Sequence, residues 1–192
     1  MHPEFEAYLQ QRTSLKPDEI KQVSSKAIAR TLKRNEDMLQ AGDVCRHKTF
    51  VQSGLLRTFG VTADGNEHIL LFSPEETWTL DVESYDKQKP SKVNITAIEP
   101  SRVLLWHKPD FDALLIQVPG LKQLAEQLIS SSTHFNRQRI LTTLSGSAEE
   151  KYEDFLLSFP DLLNRLPLRM IAAYLGISLK TLTRIRHAQL QR

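Results

Sequence analysis

Between Leu162 and Arg192 the chain has no Asp or Glu but six positive residues, Arg165, Arg169, Lys180, Arg184, Arg186 and Arg192, with His187 among them. The whole chain carries a formal net charge of +2, so the residues before this stretch sum to −4. A basic, acid-free tip on an acidic body suits a polyanion. A solvated helix face would give the same composition, so the spacing has to decide. Pro167 to Leu175 reads as a helix with proline in its first turn, Gly176 as a sharp left-handed turn, and Ser178 as the N-cap of a helix over Leu179–Arg186. Ala172 is small where two helix backbones must approach. Helical period puts Ile171, Leu175, Ile177, Leu182 and Ile185 on the buried faces. It leaves Leu179, Lys180, Thr181, Thr183, Arg184 and Arg186 outward. This is a helix-turn-helix pattern whose second helix can offer a hydroxyl-capped N-terminus to phosphate and cationic side chains to a major groove.

Something must hold that pair of helices in place. The chain has 192 residues, 40% of them apolar and 25% charged, enough for one large domain or two small ones with a real core. Apolar runs stay short of the ~18–20 residues of a membrane helix. The acidic start Met1-His2-Pro3-Glu4 lacks signal-peptide character, so a cytoplasmic location is expected. The single Cys45 excludes an internal disulfide and a cysteine-held zinc or iron–sulfur cluster within one chain.

Residues 2–25 read as one or two short helices, the second starting at Pro17-Asp18-Glu19. From Ala27 to His107 the period changes to short strands rich in β-branched and aromatic residues, and Asp64-Gly65 marks a hairpin between two of them. A short helix follows near Pro109–Leu115, and Pro119-Gly120 should stop it. Leu121 to Leu144 then runs without Pro or Gly, a long helix with Leu121, Leu124, Leu128 and Phe135 near one face and Ile129, Ile140 and Leu144 on a neighbouring one. Either its own domain or a second copy of the chain would cover the first seam. Ser145-Gly146-Ser147 reads as a hinge before an amphipathic helix over Ala148–Phe159. The fold class is therefore α+β. An antiparallel β-roll with short N-terminal helices occupies 1–118, a long helix and hinge 119–145, and a helical helix-turn-helix domain 146–192.

In this order of elements the chain resembles the Crp/Fnr superfamily of bacterial transcription regulators. Phe50-Val51-Gln52-Ser53-Gly54-Leu55-Leu56-Arg57 followed by Asp64-Gly65-Asn66-Glu67 is similar to the family's strand, turn and hairpin. Arg165 to Arg186 is similar to its DNA-binding helices. The resemblance implies a cyclic-nucleotide-binding-like roll holding an effector pocket. It implies a homodimer joined by the long helix, which assigns Leu121, Leu124, Leu128 and Phe135 to dimerisation. It further implies double-stranded DNA as partner, with RNA polymerase and a small-molecule effector as others. Base-reading positions fall on Leu179, Lys180 and Arg184, and phosphate positions on Ser178 and Thr181. With Arg169, Thr183 and Arg186 these form the expected DNA-binding set. Arg184 can bond two acceptors on guanine, whereas Leu179 can only meet a thymine methyl.

The roll departs from the cyclic-nucleotide pattern. The position of the family's phosphate arginine falls on Ser91, and Lys89 and Lys92 offer only point charges beside it. Cyclic AMP is therefore not expected, and no cofactor is assigned. Trp78, Asp81, Ser84 and Tyr85, with Lys89, Ser91 and Lys92, are the candidate lining of a pocket for an unidentified effector. Ordinary loop and core roles are the alternative. Asp161–Arg165 is too short and too helical for the wing hairpin that often precedes such helices.

Two rival readings remain. A metal enzyme on a cupin-like roll would draw on His47, His68 and His107, but ligand spacing is missing, and neither a nucleophile elbow nor a Gly-rich phosphate loop occurs. No catalytic residue and no metal ligand is assigned. The other rival is a protein-interaction or ligand-sensing module with a degenerate helix-turn-helix.

Overall fold

The computed structural model describes residues 2–190; Arg192, counted above in the basic tip, lies outside them. Among the described residues, eight strands and eight α-helices follow one another in the order α1 (Pro3–Arg12), α2 (Pro17–Ser25), β1 (Ile28–Leu32), β2 (Asp37–Leu39), β3 (His47–Ser53), β4 (Leu56–Val61), β5 (Glu67–Ser73), β6 (Trp78–Thr79), α3 (Val82–Lys87), β7 (Asn94–Ala97), β8 (Ser101–His107), α4 (Lys108–Gln117), α5 (Pro119–Ser145), α6 (Ala148–Ser158), α7 (Leu168–Leu175) and α8 (Leu179–Leu190). A 3₁₀ turn, Leu162–Asn164, stands between α6 and α7, where no wing hairpin forms. Contacts group Met1–Gly60 with Leu70–Leu128 in one unit and Val61–Ile69 with Ile129–Arg192 in another. The division falls inside α5, between Leu128 and Ile129.

The first unit is a roll of two four-stranded sheets, ordered β1-β8-β3-β6 and β2-β7-β4-β5. β8 pairs antiparallel with both β1 and β3. Its run Val103-Leu104-Leu105-Trp106 is buried throughout. Because side chains alternate along a strand, that run feeds two cores. Val103 and Leu105 join Val51, Leu32, Leu56, Ile95 and Tyr85 between the sheets. Leu104 and Trp106 join Phe50, Phe5, Tyr8, Phe111 and the leucines of α5 on the outside. Trp106 Nε1 also donates to the Val23 carbonyl at 2.9 Å, which fixes α2 against the sheet.

Glycine is required where β3 turns into β4. Gly54 has φ +95°, and a Cβ there would stand 2.7 Å from the Ser101 backbone. The expected Asp-Gly hairpin forms between β4 and β5. Asp64 accepts from the Thr62 hydroxyl at 2.6 Å, the Asn66 amide nitrogen at 3.2 Å and the Asn66 side chain at 2.6 Å. These donors hold its carboxyl down at about 2.

α4 stops at Gln117, just before Pro119 as expected, and Pro119 also opens α5, since proline's missing N–H has no intrahelical partner to lose in a first turn. In the second unit Phe135 of α5 meets Phe159 edge-on, and Phe155, Phe159 and Tyr174 pack together behind the C-terminal helices.

Candidate nucleic-acid interface

α7 ends at Gly176, whose φ of +65° places it in the left-handed region. The Ile177 amide then closes the turn on the Ala172 carbonyl at 3.1 Å. Ser178 begins α8 as its cap: its Oγ accepts from the Thr181 amide at 3.1 Å and lies 2.9 Å from the Thr181 hydroxyl. Ile171, Ala172, Leu175, Leu182 and Ile185 are buried and join α7 to α8; Ile177, expected with them, is only half-buried. Arg139 of α5 supports this pair. Its guanidinium lies 3.9 Å from the centre of the Tyr174 ring and donates to the Tyr174 carbonyl at 3.1 Å. Burial raises the Tyr174 phenol to about 12.

The outward face of α8 carries most of the expected set. Arg169, Ser178, Leu179, Lys180 and Arg184 are exposed, while Thr181, Thr183 and Arg186 are half-buried. Leu179 is 48% exposed although apolar. Thr183 differs from expectation in one respect: its hydroxyl donates to the Leu179 carbonyl at 2.9 Å, so that proton stays on its own helix. A contact the sequence did not announce is an ion pair at 3.6 Å between Arg184 and Glu149, in the first turn of α6. The two lie far apart in the chain, and no spacing rule links them. Glu149 lies outside the acid-free stretch yet brings a carboxylate to its edge.

The seam assigned to dimerisation needs correction. Leu121 and Leu124 are buried in the first unit's own aromatic core, and Leu128 packs against it. Phe135 packs on Phe159. Leu121 and Leu124 are thus used within the chain, while Leu128 and Phe135 stay half-buried. The apolar side chains that α5 leaves exposed are Ile129, Ile140, Leu141 and Leu144, the last at 81%.

Of the effector set, the structure brings Asp81, Ser84, Lys89 and Ser91 together around α3, and it places Trp78 against one core and Tyr85 in the other. Trp78 lies edge-on to Phe5, Phe50 and Phe111 and donates from Nε1 to the Tyr8 hydroxyl at 3.3 Å. Asp81 caps α3 by accepting from the amides of Glu83 and Ser84, and also accepts from the Ser91 hydroxyl at 2.7 Å. Ser84 Oγ accepts from the Cys45 amide at 2.9 Å and donates to the Lys89 carbonyl. Tyr85 is buried between the sheets. Lys89 and Lys92 are exposed. The sequence pattern did not register α3, a single six-residue turn of helix, and so could not foresee that these polar groups serve it.

Of the three histidines weighed for a metal, His47 and His107 become cross-strand neighbours with ring centres 4.4 Å apart. Among the described residues no group of three metal-binding side chains forms, and no helix is long and apolar enough to cross a membrane.

Residues 29–117 match the model of the cyclic nucleotide-binding domain. The transcriptional activator protein FnrA of Stutzerimonas stutzeri is 29% identical over 171 residues, covering 81% of this chain and 68% of that protein. The structure of FixK2 from Bradyrhizobium japonicum superimposes with a TM-score of 0.71 at 20% identity, covering 86% of this chain and 84% of the other. The catabolite activator protein of Thermus thermophilus gives 0.59 at 21% identity, covering 93% and 85%. The fold thus defines a cyclic nucleotide-binding-type roll followed by helix-turn-helix helices. In sequence and fold the chain is similar to these regulators, and residues 29–117 fit the cyclic nucleotide-binding domain.

Proposed function

We propose that the protein is a homodimeric, sequence-specific DNA-binding transcription regulator. The observation that carries this reading is the outward face of α8: Lys180, Arg184 and Leu179 project from a serine-capped helix in a stretch without acids. Double-stranded DNA is the partner this surface suits, and RNA polymerase follows from the regulator role. Two copies would place their α8 helices at half-sites about one helical turn (~34 Å) apart. The exposed stripe Ile129, Ile140 and Leu144 is the surface that supports self-association, in place of the leucines nearer the roll.

Control by a small effector fits a roll-bearing regulator, but the segment from Trp78 to Lys92 around α3 does not suit a cyclic phosphate. Ser91 stands at the position of the family's phosphate arginine, and its hydroxyl donates to a carboxylate, Asp81. An anion placed there would face like charge, with Lys89 and Lys92 out at the surface. No catalytic step enters this reading.

Selection of binding sites from a random DNA pool tests it. A defined motif whose affinity falls steeply with salt is expected, because bound phosphates release counterions. Flat salt dependence or no motif would favour an interaction module instead. Arg184→Ala should weaken the selected site by ~1–3 kcal/mol and relax one base preference. Ile140→Asp should give monomers in sedimentation while the fold stays intact, and a surviving dimer would move the interface elsewhere.

A further inference from the structure

Two acids stand in the first turn of α6, Glu149 and Glu150. Both suit a helix start, where the backbone dipole is positive. Glu150 is used locally: its carboxylate accepts from the Ser147 amide at 2.7 Å, and its own amide donates to the Ser147 hydroxyl at 3.2 Å. Glu149 takes no part in that capping box. Its carboxylate lies instead 3.6 Å from the Arg184 guanidinium.

Arg184 is the residue of α8 assigned to guanine, whose edge offers a guanidinium two acceptors. A carboxylate offers the same group two oxygens and a full negative charge. Guanine and Glu149 are therefore alternatives for one side chain. The pair is easily opened, because both side chains are exposed, Arg184 at 73% and Glu149 at 55%, and an ion pair in water is worth little. Its 3.6 Å separation lies beyond the ~2.7–2.9 Å of a charge-assisted hydrogen bond. A partner this loose does not lock the Arg184 side chain into a reading posture. It offsets the charge.

The effect reaches beyond the pair. Affinity for any duplex grows with the number of cations that neutralise phosphates. With Glu149 beside it, Arg184 adds little to that number until DNA draws it away, and the carboxylate then left behind repels phosphate.

We propose that Glu149 competes with DNA for Arg184 and so holds down the affinity of α8 for duplexes in general. The proposal rests on the DNA-reading assignment of α8 and goes beyond it, naming a residue outside α7 and α8 that sets how strongly they bind.

The test compares the full chain with Glu149→Gln on the DNA selected from a random pool and on an unrelated duplex of equal length, by fluorescence anisotropy over a range of salt. This substitution keeps the size of the side chain and removes its charge. It should tighten both complexes about three- to tenfold near physiological salt, and steepen the log–log salt slope by about one, as one more phosphate is neutralised. Glu153→Gln removes the same charge one turn further along α6, outside the pair, and should change affinity less than about twofold, since water and salt screen it. Arg184→Ala closes a cycle: in that background Glu149→Gln should gain less than about twofold. Tighter binding does not follow from damage to the fold, which separates this role from a structural one. Unchanged or weaker binding by Glu149→Gln, an equal gain from Glu153→Gln, or a full gain that persists without Arg184 would each overturn the competition while the unaltered chain still binds its selected DNA. Failure of the unaltered chain to bind any duplex would overturn the DNA-reading assignment, and this inference with it.

Discussion

The cassette around α3 and the outward face of α8 are both short, polar and close to a helix start, yet they meet opposite fates. Around α3 the polar groups of Asp81, Ser84 and Ser91 bond to their own chain. On α8 the cap is local, and Leu179, Lys180 and Arg184 are left in solvent. A six-residue helix inside a roll cannot supply its own capping and loop contacts, so it recruits every nearby hydroxyl and carboxylate. A twelve-residue helix packed along one side by Leu182 and Ile185 needs little more than its serine cap, and its other side is free to meet a partner. Polar residue types alone do not separate a structural cluster from a recognition surface. The number of bonds already made within the chain does.

Substitutions can break this contrast. The largest effect is expected at Asp81→Ala, which removes the acceptor of two amides and of the buried Ser91 hydroxyl at once. Urea unfolding should show a loss of about 2–3 kcal/mol. A loss below about 0.5 kcal/mol would mean that the cassette is freer than its bonds indicate. Gly176→Ala comes next, at about 1 kcal/mol, from the left-handed φ alone, since a Cβ there meets nothing within 4 Å. Ser178→Ala should cost a similar ~1 kcal/mol through its cap, and in addition weaken DNA where phosphate meets the helix start. Arg184→Ala should change folding stability by less than about 0.5 kcal/mol, because its pair with Glu149 is solvent-exposed. The same variant is expected to lose operator affinity, and stability lost without affinity would reverse the roles given to the two regions. Lys89→Ala and Lys92→Ala, both at the surface, should lie within about 0.5 kcal/mol in unfolding.

The two halves of α5 teach the same lesson for apolar residues. Helical period put Leu121, Leu124 and Leu128 on one seam, but it could not say whose seam it was. Phe5, Phe50 and Trp106, from α1, β3 and β8, arrive at that face through the roll and claim it. Ile129, Ile140 and Leu144 have no such neighbour and stay exposed.

Local chemistry was enough for much of this protein. The turn at Gly176, the cap at Ser178, the Asp64-Gly65 hairpin and a long helix over 121–144 follow from φ preferences, side-chain hydroxyls and period, which act over a few residues. The change from strand to helical pattern near Lys108 is likewise local. Only the tertiary structure decided that Asp81 serves α3, that the first leucines of α5 belong to the chain's own core, that Glu149 meets Arg184, and that His47 stands against His107. Each of these joins residues from different elements or loops. Strand register and helix packing bring them together only when burial of the whole apolar surface selects one arrangement, a choice that no short window of sequence contains.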